Sequence, residues 1–336
     1  MLRFKENVSL KPYNTFGIEA ETKYFYKVPN TIELKKILET NKNIPLRILG
    51  GGSNVLFTED FDGLTLLIAN KGKAVLEETS KTVIVEVQAG ENWHEFVMWC
   101  LNNNYGGIEN LALIPGRVGA TPIQNIGAYG VELNSVFKWC KAINIASLKE
   151  EVIFKKDCEF DYRTSIFKAR QKGKYIITSV CFQLQKPPHY PNIEYDALKE
   201  YFEGKSPKID EVASAVIEIR ESKLPNPKII GNCGSFFKNP LVSKSHYKLL
   251  KKSFSELPSY PIISDEQIKI PAAWLIDHLG FKGTQHGGAG VHKNQALVLV
   301  NLNAAKGKEV LDLAQKIQSA VKKTFNITLE TEVNIL

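Results

Sequence analysis

Between Ile114 and Gly130 the chain carries four glycines, at Gly116, Gly119, Gly127 and Gly130, and two prolines, Pro115 and Pro122. Breakers at that density suit neither a helix nor a strand, and the apolar residues between them show no period. A long ordered loop is an entropic liability unless it holds something, so the fold has to be built around this one. A second stretch of the same kind, Gly50-Gly51-Gly52-Ser53-Asn54, leaves the strand-like Leu46–Leu49 and runs into Val55-Leu56-Phe57. The dinucleotide fingerprint G-x-G-x-x-G started at Gly50 would need glycine where Val55 stands, and G-x-x-x-x-G-K-[ST] does not occur. Consecutive glycines can still aim backbone N–H groups at an anion, although a plain turn stays open at this point. Together the two stretches offer a backbone-lined cradle for a large flat cofactor with a pyrophosphate.

At 336 residues the chain exceeds one ordinary core, so two or three domains are expected, with the break at Pro187-Pro188-His189-Tyr190-Pro191. The five cysteines are scattered and form no C-x-x-C pair, which indicates neither a disulfide framework nor a zinc cluster. The six histidines make no H-E-x-x-H or H-x-x-x-H, so no metal site is expected, and G-x-S-x-G is absent. No apolar run reaches membrane-spanning length and the N-terminus lacks a signal-peptide core, so a cytoplasmic protein without membrane contact is expected. A net charge of +7 could serve nucleic acid, but the basic residues are dispersed, and Lys248, Lys251 and Lys252 read as a solvated helix face. The excess equally suits a small polyanion such as a nucleotide.

Helices are predicted after Asn30 or Thr31, over Glu91–Leu101, through Val212–Ile219, from Pro271 to Gly280, and through Val310–Val321. Strands are predicted at Leu46–Leu49, Leu64–Ile68, Thr82–Ala89, Val152–Phe154, Tyr175–Val180 and Ala296–Val300. In the tail, Ile327, Leu329, Thr331, Val333 and Ile335 share one face while Glu330, Glu332 and Asn334 share the other. The stretch Gly231-Asn232-Cys233-Gly234-Ser235-Phe236-Phe237-Lys238-Asn239-Pro240 sets a hydroxyl, an ammonium and two carboxamides around two large rings. A plain core segment would not gather so many polar groups, since each needs a partner when buried. A turn with an apolar tail is the blander reading. With no nucleophile or metal motif, the pattern suits an enzyme whose hard chemistry belongs to a bound cofactor.

Six co-ordered motifs resemble the UDP-N-acetylenolpyruvoylglucosamine reductase (MurB) family: Gly50–Asn54, Ile114–Gly130, Tyr162-Arg163-x-Ser165-Ile166-Phe167, Gly231–Pro240, Gly287–Gln295 and Glu332-Val333. Pro191-Asn192-Ile193-Glu194-Tyr195-Asp196 resembles the tyrosine-bearing loop of its longer, type I form. The resemblance implies an α+β chain: an FAD-binding domain of the PCMH (vanillyl-alcohol oxidase-like) type over 1–190, in two α+β subdomains of about 1–70 and 71–190. A smaller α+β substrate-binding domain would follow over 205–336, its tail returning to the active site. It further implies a monomer in which NADPH reduces non-covalent FAD and the flavin passes hydride to the enolpyruvyl double bond of a UDP-sugar. The product would be UDP-N-acetylmuramate, a peptidoglycan precursor.

By the same resemblance Gly50, Gly51, Gly52, Ser53, Asn54, Pro115, Gly116, Gly119, Ala120, Gln124, Asn125, Gly127 and Ala128 hold the cofactor. Tyr129, Tyr195, Lys223, Asn239 and Gln295 hold the substrate. Arg163 and Glu332 would stabilise the charge left when hydride adds to the double bond, and Ser235 would donate the proton to the α-carbon. Glu332 serves mainly if protonated, since an ionised carboxylate would repel an enolate. Cys233 departs from the alanine expected there and reads as a small hydrophobe without a redox role. The rivals are a flavin oxidase of the same superfamily, a nucleotide-sugar binder without catalysis and a basic nucleic-acid binder. Such oxidases often tether FAD through His or Cys, and neither occurs in Gly50–Asn54 or Ile114–Gly130.

Overall fold

The computed structural model describes residues 3–260 and 266–336. The chain divides into two compact units. The first runs to Val8 and resumes over Thr22–Gly51 and Phe61–Ser222; the second takes Ser9–Glu21, Gly52–Asp60 and Lys223–Leu336.

The first unit contains two sheets. In one, strands Lys5–Ser9, Glu21–Val28, Phe61–Ile68 and Leu46–Leu49 lie side by side in that order. The last three are mutually parallel, which requires crossovers, and helix Thr31–Thr40 supplies one of them. Asn30 caps that helix by accepting from the Glu33 N–H at 2.9 Å. Its Leu34, Ile37 and Leu38 are buried with Val28, Leu64, Leu66 and Ile68.

The other sheet is antiparallel, in the order Glu150–Phe154, Phe137–Asn144, Tyr175–Gln185, Thr82–Gln88, Lys73–Glu78. Helix Trp93–Asn102, capped by Asn92, buries Trp93 and Phe96 against Phe182, and Trp93 donates to the Leu111 carbonyl at 2.9 Å. That bond ties the helix to the turn just ahead of the glycine-rich loop.

The apolar spacing of Val212–Ile219, beyond the proline cluster, belongs to helix Ile209–Lys223. Its Val212, Ala213, Ala215 and Val216 complete the core of the first unit. Helical spacing reveals an apolar face but not the core that receives it.

The second unit holds a sheet of Gly231–Ser235, Val298–Asn301, Ala289–Val291 and Gln285–His286, with helices Lys244–Ser253, Ala272–His278 and Gly307–Phe325. Two early segments are built into it. Thr15 Oγ1 donates to the Asn232 carbonyl at 2.7 Å and the Asn232 N–H returns a bond to Thr15 O at 3.0 Å. Asn334-Ile335 pairs in parallel with Val55-Leu56. Among the described residues no helix is long and apolar enough to cross a membrane.

Gly52 shows how tight this joint is. It has φ +62°, and a Cβ there would lie 1.8 Å from the Tyr13 carbonyl oxygen. Gly173 has φ +75° with nothing within 4 Å. Gly52→Ala is therefore expected to cost at least ~4 kcal/mol, from backbone displacement. Gly173→Ala should cost about 1 kcal/mol, from conformation alone. Urea midpoints of the two variants measure the difference, and equal midpoints would contradict the packing described.

Candidate active site

The two glycine stretches meet in the first unit. A Cβ on Gly51 would sit 2.8 Å from Gly116 Cα, and one on Gly50 would touch Ala120 Cβ at 3.6 Å. Gly119 packs on Ala89, where a Cβ would approach to 2.5 Å. Main chain lies on main chain here because no side chain intervenes, the lining expected of a cradle for a flat, pyrophosphate-bearing cofactor. The N–H groups of Val118, Gly119, Ala120 and Thr121 bond internally, to Glu91, Ala89, Arg117 and Val118 carbonyls, which rigidifies the loop. Arg117 Nη1 donates to the Ile68 carbonyl. Gln124 accepts from Lys168 Nζ at 3.3 Å. Gly52, Ser53 and Asn54 group with the second unit, where Asn54 Nδ2 donates to the Glu332 carbonyl at 3.3 Å.

Arg163 occupies the tip of a two-residue hairpin closed by the Asp161–Thr164 pair, and its φ is +55°. A left-handed arginine is strained, and such strain persists where surroundings enforce it. Its Nη2 donates to the Gly127 carbonyl at 2.6 Å, in the hairpin Gly127-Ala128 with Val131-Glu132. Ser165 Oγ fastens the same segment to Ile123 O at 2.7 Å. Tyr129, with φ +48°, meets Tyr195 edge to face at 5.3 Å between centroids. Burial raises the pKa of both phenols; Arg220 opposes the shift on Tyr129.

Arg220 has no place among the sequence candidates. It lies on helix Ile209–Lys223, and its Nε is sealed from solvent with no hydrogen-bond partner among the described residues. Burial depresses its pKa; Tyr129 counteracts this and Arg163 adds to it. The R-x-x-K spacing to Lys223, one helical turn on, is the signal that could have found it. His94 is the other side chain drawn in. Its Nδ1 accepts the Leu113 N–H at 3.1 Å, which places the proton on Nε2 of the neutral ring, and burial lowers its pKa.

In the second unit, Gly231 pairs with Asn301 and Asn232 with Val300, but Ser235 with Val298. One extra residue is accommodated there, a β-bulge, and Gly234 at φ +75° makes it. Asn232 Oδ1 accepts the Gly234 N–H at 3.0 Å and so braces the bulge. Ser235 is thereby turned, while Phe236 and Phe237 are buried and anchor it. Glu332 is brought alongside, its N–H donating to the Phe236 carbonyl at 2.9 Å. Cys233 is buried, its thiol pKa driven up by burial and by Glu332.

Asn239 Oδ1 accepts the Ala272 N–H at 2.9 Å, at the start of helix Ala272–His278. Gln295 Oε1 accepts from Leu297 N at 3.4 Å. Lys223 ends its helix. Among the described residues no group of three or more His, Cys, Asp or Glu could hold a metal, and all five cysteines are free and buried.

Residues 225–336 match the UDP-N-acetylenolpyruvoylglucosamine reductase, C-terminal domain family, and residues 23–153 match the FAD binding domain family. The UDP-N-acetylenolpyruvoylglucosamine reductase of Flavobacterium johnsoniae is 50% identical over 338 residues, covering 100% of each chain. That of Amoebophilus asiaticus is 44% identical over 337 residues, covering 99% of each. The crystal structure of the Thermus caldophilus UDP-N-acetylenolpyruvylglucosamine reductase (MurB) superposes with a TM-score of 0.69 at 22% identity. It covers 100% of this chain and 99% of that one, a likeness of fold.

Proposed function

The chain belongs to the UDP-N-acetylenolpyruvoylglucosamine reductase family, and on that premise we propose how its residues divide the reduction of an enolpyruvyl ether. The reaction serves peptidoglycan precursor synthesis, and FAD, held by the loops around Gly51 and Gly116, supplies the hydride when bound. NADPH is the external reductant.

The observation that carries the reading is the Arg220 guanidinium, half-buried beside Tyr129 and Arg163 with no carboxylate partner among the described residues. A sheltered cation without a counter-charge is costly unless a ligand provides one. The enolpyruvyl carboxylate is such an anion. As hydride reaches the β-carbon, negative charge grows on the α-carbon and its carboxylate. Arg163, fixed by Gly127, and Arg220 oppose that charge. Glu332 assists in holding the developing enolate, and Ser235 delivers the proton to the α-carbon.

Lys223, Asn239 and Gln295 take the diphosphate and nucleotide. The two amides suit an acceptor-only diphosphate because their oxygens are already occupied by Ala272 and Leu297. Tyr129 and Tyr195 present an aromatic pair to the sugar nucleotide. The protein works as a cytoplasmic monomer; free thiols suit a reducing compartment, and every role above is filled from one chain.

The test is NADPH consumption with and without the enolpyruvyl UDP-sugar. Substrate should accelerate it strongly, with UDP-N-acetylmuramate formed in equal amount. Oxidation indifferent to the UDP-sugar would sink the assignment.

A further inference from the structure

The side chain of Asn125 is fully engaged inside the protein. It is completely buried with φ +46°. Its Nδ2 donates to Glu132 Oε2 at 2.7 Å and to the Asp161 carbonyl at 3.3 Å, while its Oδ1 accepts the Asn134 N–H at 3.0 Å. The first two bonds join the hairpin containing Gly127 and Glu132 to the hairpin whose tip is Arg163. Asp161 O is also the acceptor that closes the Arg163 hairpin, taking the Thr164 N–H at 3.1 Å. Gly127 O in turn receives Arg163 Nη2. A Cβ on Gly127 would lie 2.9 Å from Arg163 Nη1 and 3.0 Å from Glu132 Cγ, so guanidinium and Glu132 converge on the same point.

We infer that Asn125 is a positioning residue for Arg163, acting with Glu132, and that its side chain does not bind the cofactor. Asn125 follows Gln124 in the glycine-rich loop, so the loop that cradles the cofactor also fixes where the arginine points. An amide is the side chain that can do this. It offers two donors to two acceptors, Glu132 and Asp161 O, and keeps an acceptor for Asn134. The inference rests on the role given to Arg163 above.

Asn125→Asp keeps shape and the Asn134 bond but sets a carboxylate against Glu132 and the Asp161 carbonyl. The holoenzyme should retain its flavin content and its NADPH oxidation without substrate. Its kcat with the enolpyruvyl UDP-sugar should fall roughly 10²-fold, the scale of a misplaced catalytic group, with KM nearly unchanged. Adding Glu132→Gln returns an amide donor to that contact, and the double variant should recover about 10-fold over the single one. Glu132→Ala, at a half-buried position, is the second probe should Asn125→Asp fold poorly, with an expected kcat loss of about 10-fold. A wild-type kcat in Asn125→Asp and Glu132→Ala, absence of recovery in the double variant, or flavin loss as the sole defect would overturn the inference. Arg163→Ala separates the two levels: if that variant turns over normally, the role of Arg163 falls as well, whereas an inactive Arg163→Ala beside fully active Asn125→Asp removes the positioning alone.

Discussion

Ser235→Ala should abolish enolpyruvyl reduction while leaving the protein otherwise intact. The loss in kcat is expected to reach at least ~10³-fold, within the span assigned to a positioned proton donor. The hydroxyl makes no protein hydrogen bond among the described residues, so its removal orphans nothing. The bulge that aims it is held by Gly234 and by Asn232 Oδ1, which the substitution does not touch. The melting temperature should move by less than about 3 °C. NADPH oxidation without the UDP-sugar, which needs no proton for carbon, should continue at its basal rate. Single-turnover mixing with substrate would separate the two phases. A variant that forms UDP-N-acetylmuramate within about tenfold of the wild-type rate would exclude Ser235 as the donor and transfer attention to Glu332, whose backbone neighbours Phe236.

The Gly231–Pro240 stretch stands out in the sequence because its composition conflicts with a plain core segment. The bulge inside it is not legible there, since a bulge is defined by the partner strand and Val298 lies far away in sequence. The same limit explains the domain assignment. Residues 9–21 and 52–60 join the second unit through Thr15–Asn232 and Val55–Asn334 pairs that no local pattern announces. Strand Lys73–Glu78 is exposed at every position and so shows no alternation. Arg163 was found through its motif, but its left-handed backbone and its bond to Gly127 belong to tertiary structure. Asn125 stands among the cofactor residues that the resemblance implies, and the bonds of its amide to Glu132 and Asp161 O are tertiary facts that no local pattern announces. Arg220 was missed because an arginine near a helix end is ordinarily a solvated one. Only its surroundings distinguish it.

Those surroundings make Arg220→Met a test with opposed readouts. Methionine fills much of the same volume without the charge. In the unliganded protein the guanidinium is a sheltered cation near Arg163 and lacks a hydrogen-bonded acid among the described residues. Removing it should leave stability unchanged or raise it by up to ~1 kcal/mol, because an uncompensated sheltered charge is a cost to the fold. Turnover should move the other way. Loss of a preorganised cation facing the developing enolate is expected to lower kcat/KM by roughly 10²–10³-fold. The thermal stabilisation conferred by the enolpyruvyl UDP-sugar should shrink with it, while that conferred by UDP alone should persist, since Lys223, Asn239 and Gln295, proposed above for the diphosphate, are untouched. A structural arginine would give the reverse pattern, with a lower melting temperature and near-normal kinetics. Stability gained and catalysis lost in one variant would identify a charge that the fold maintains for its ligand.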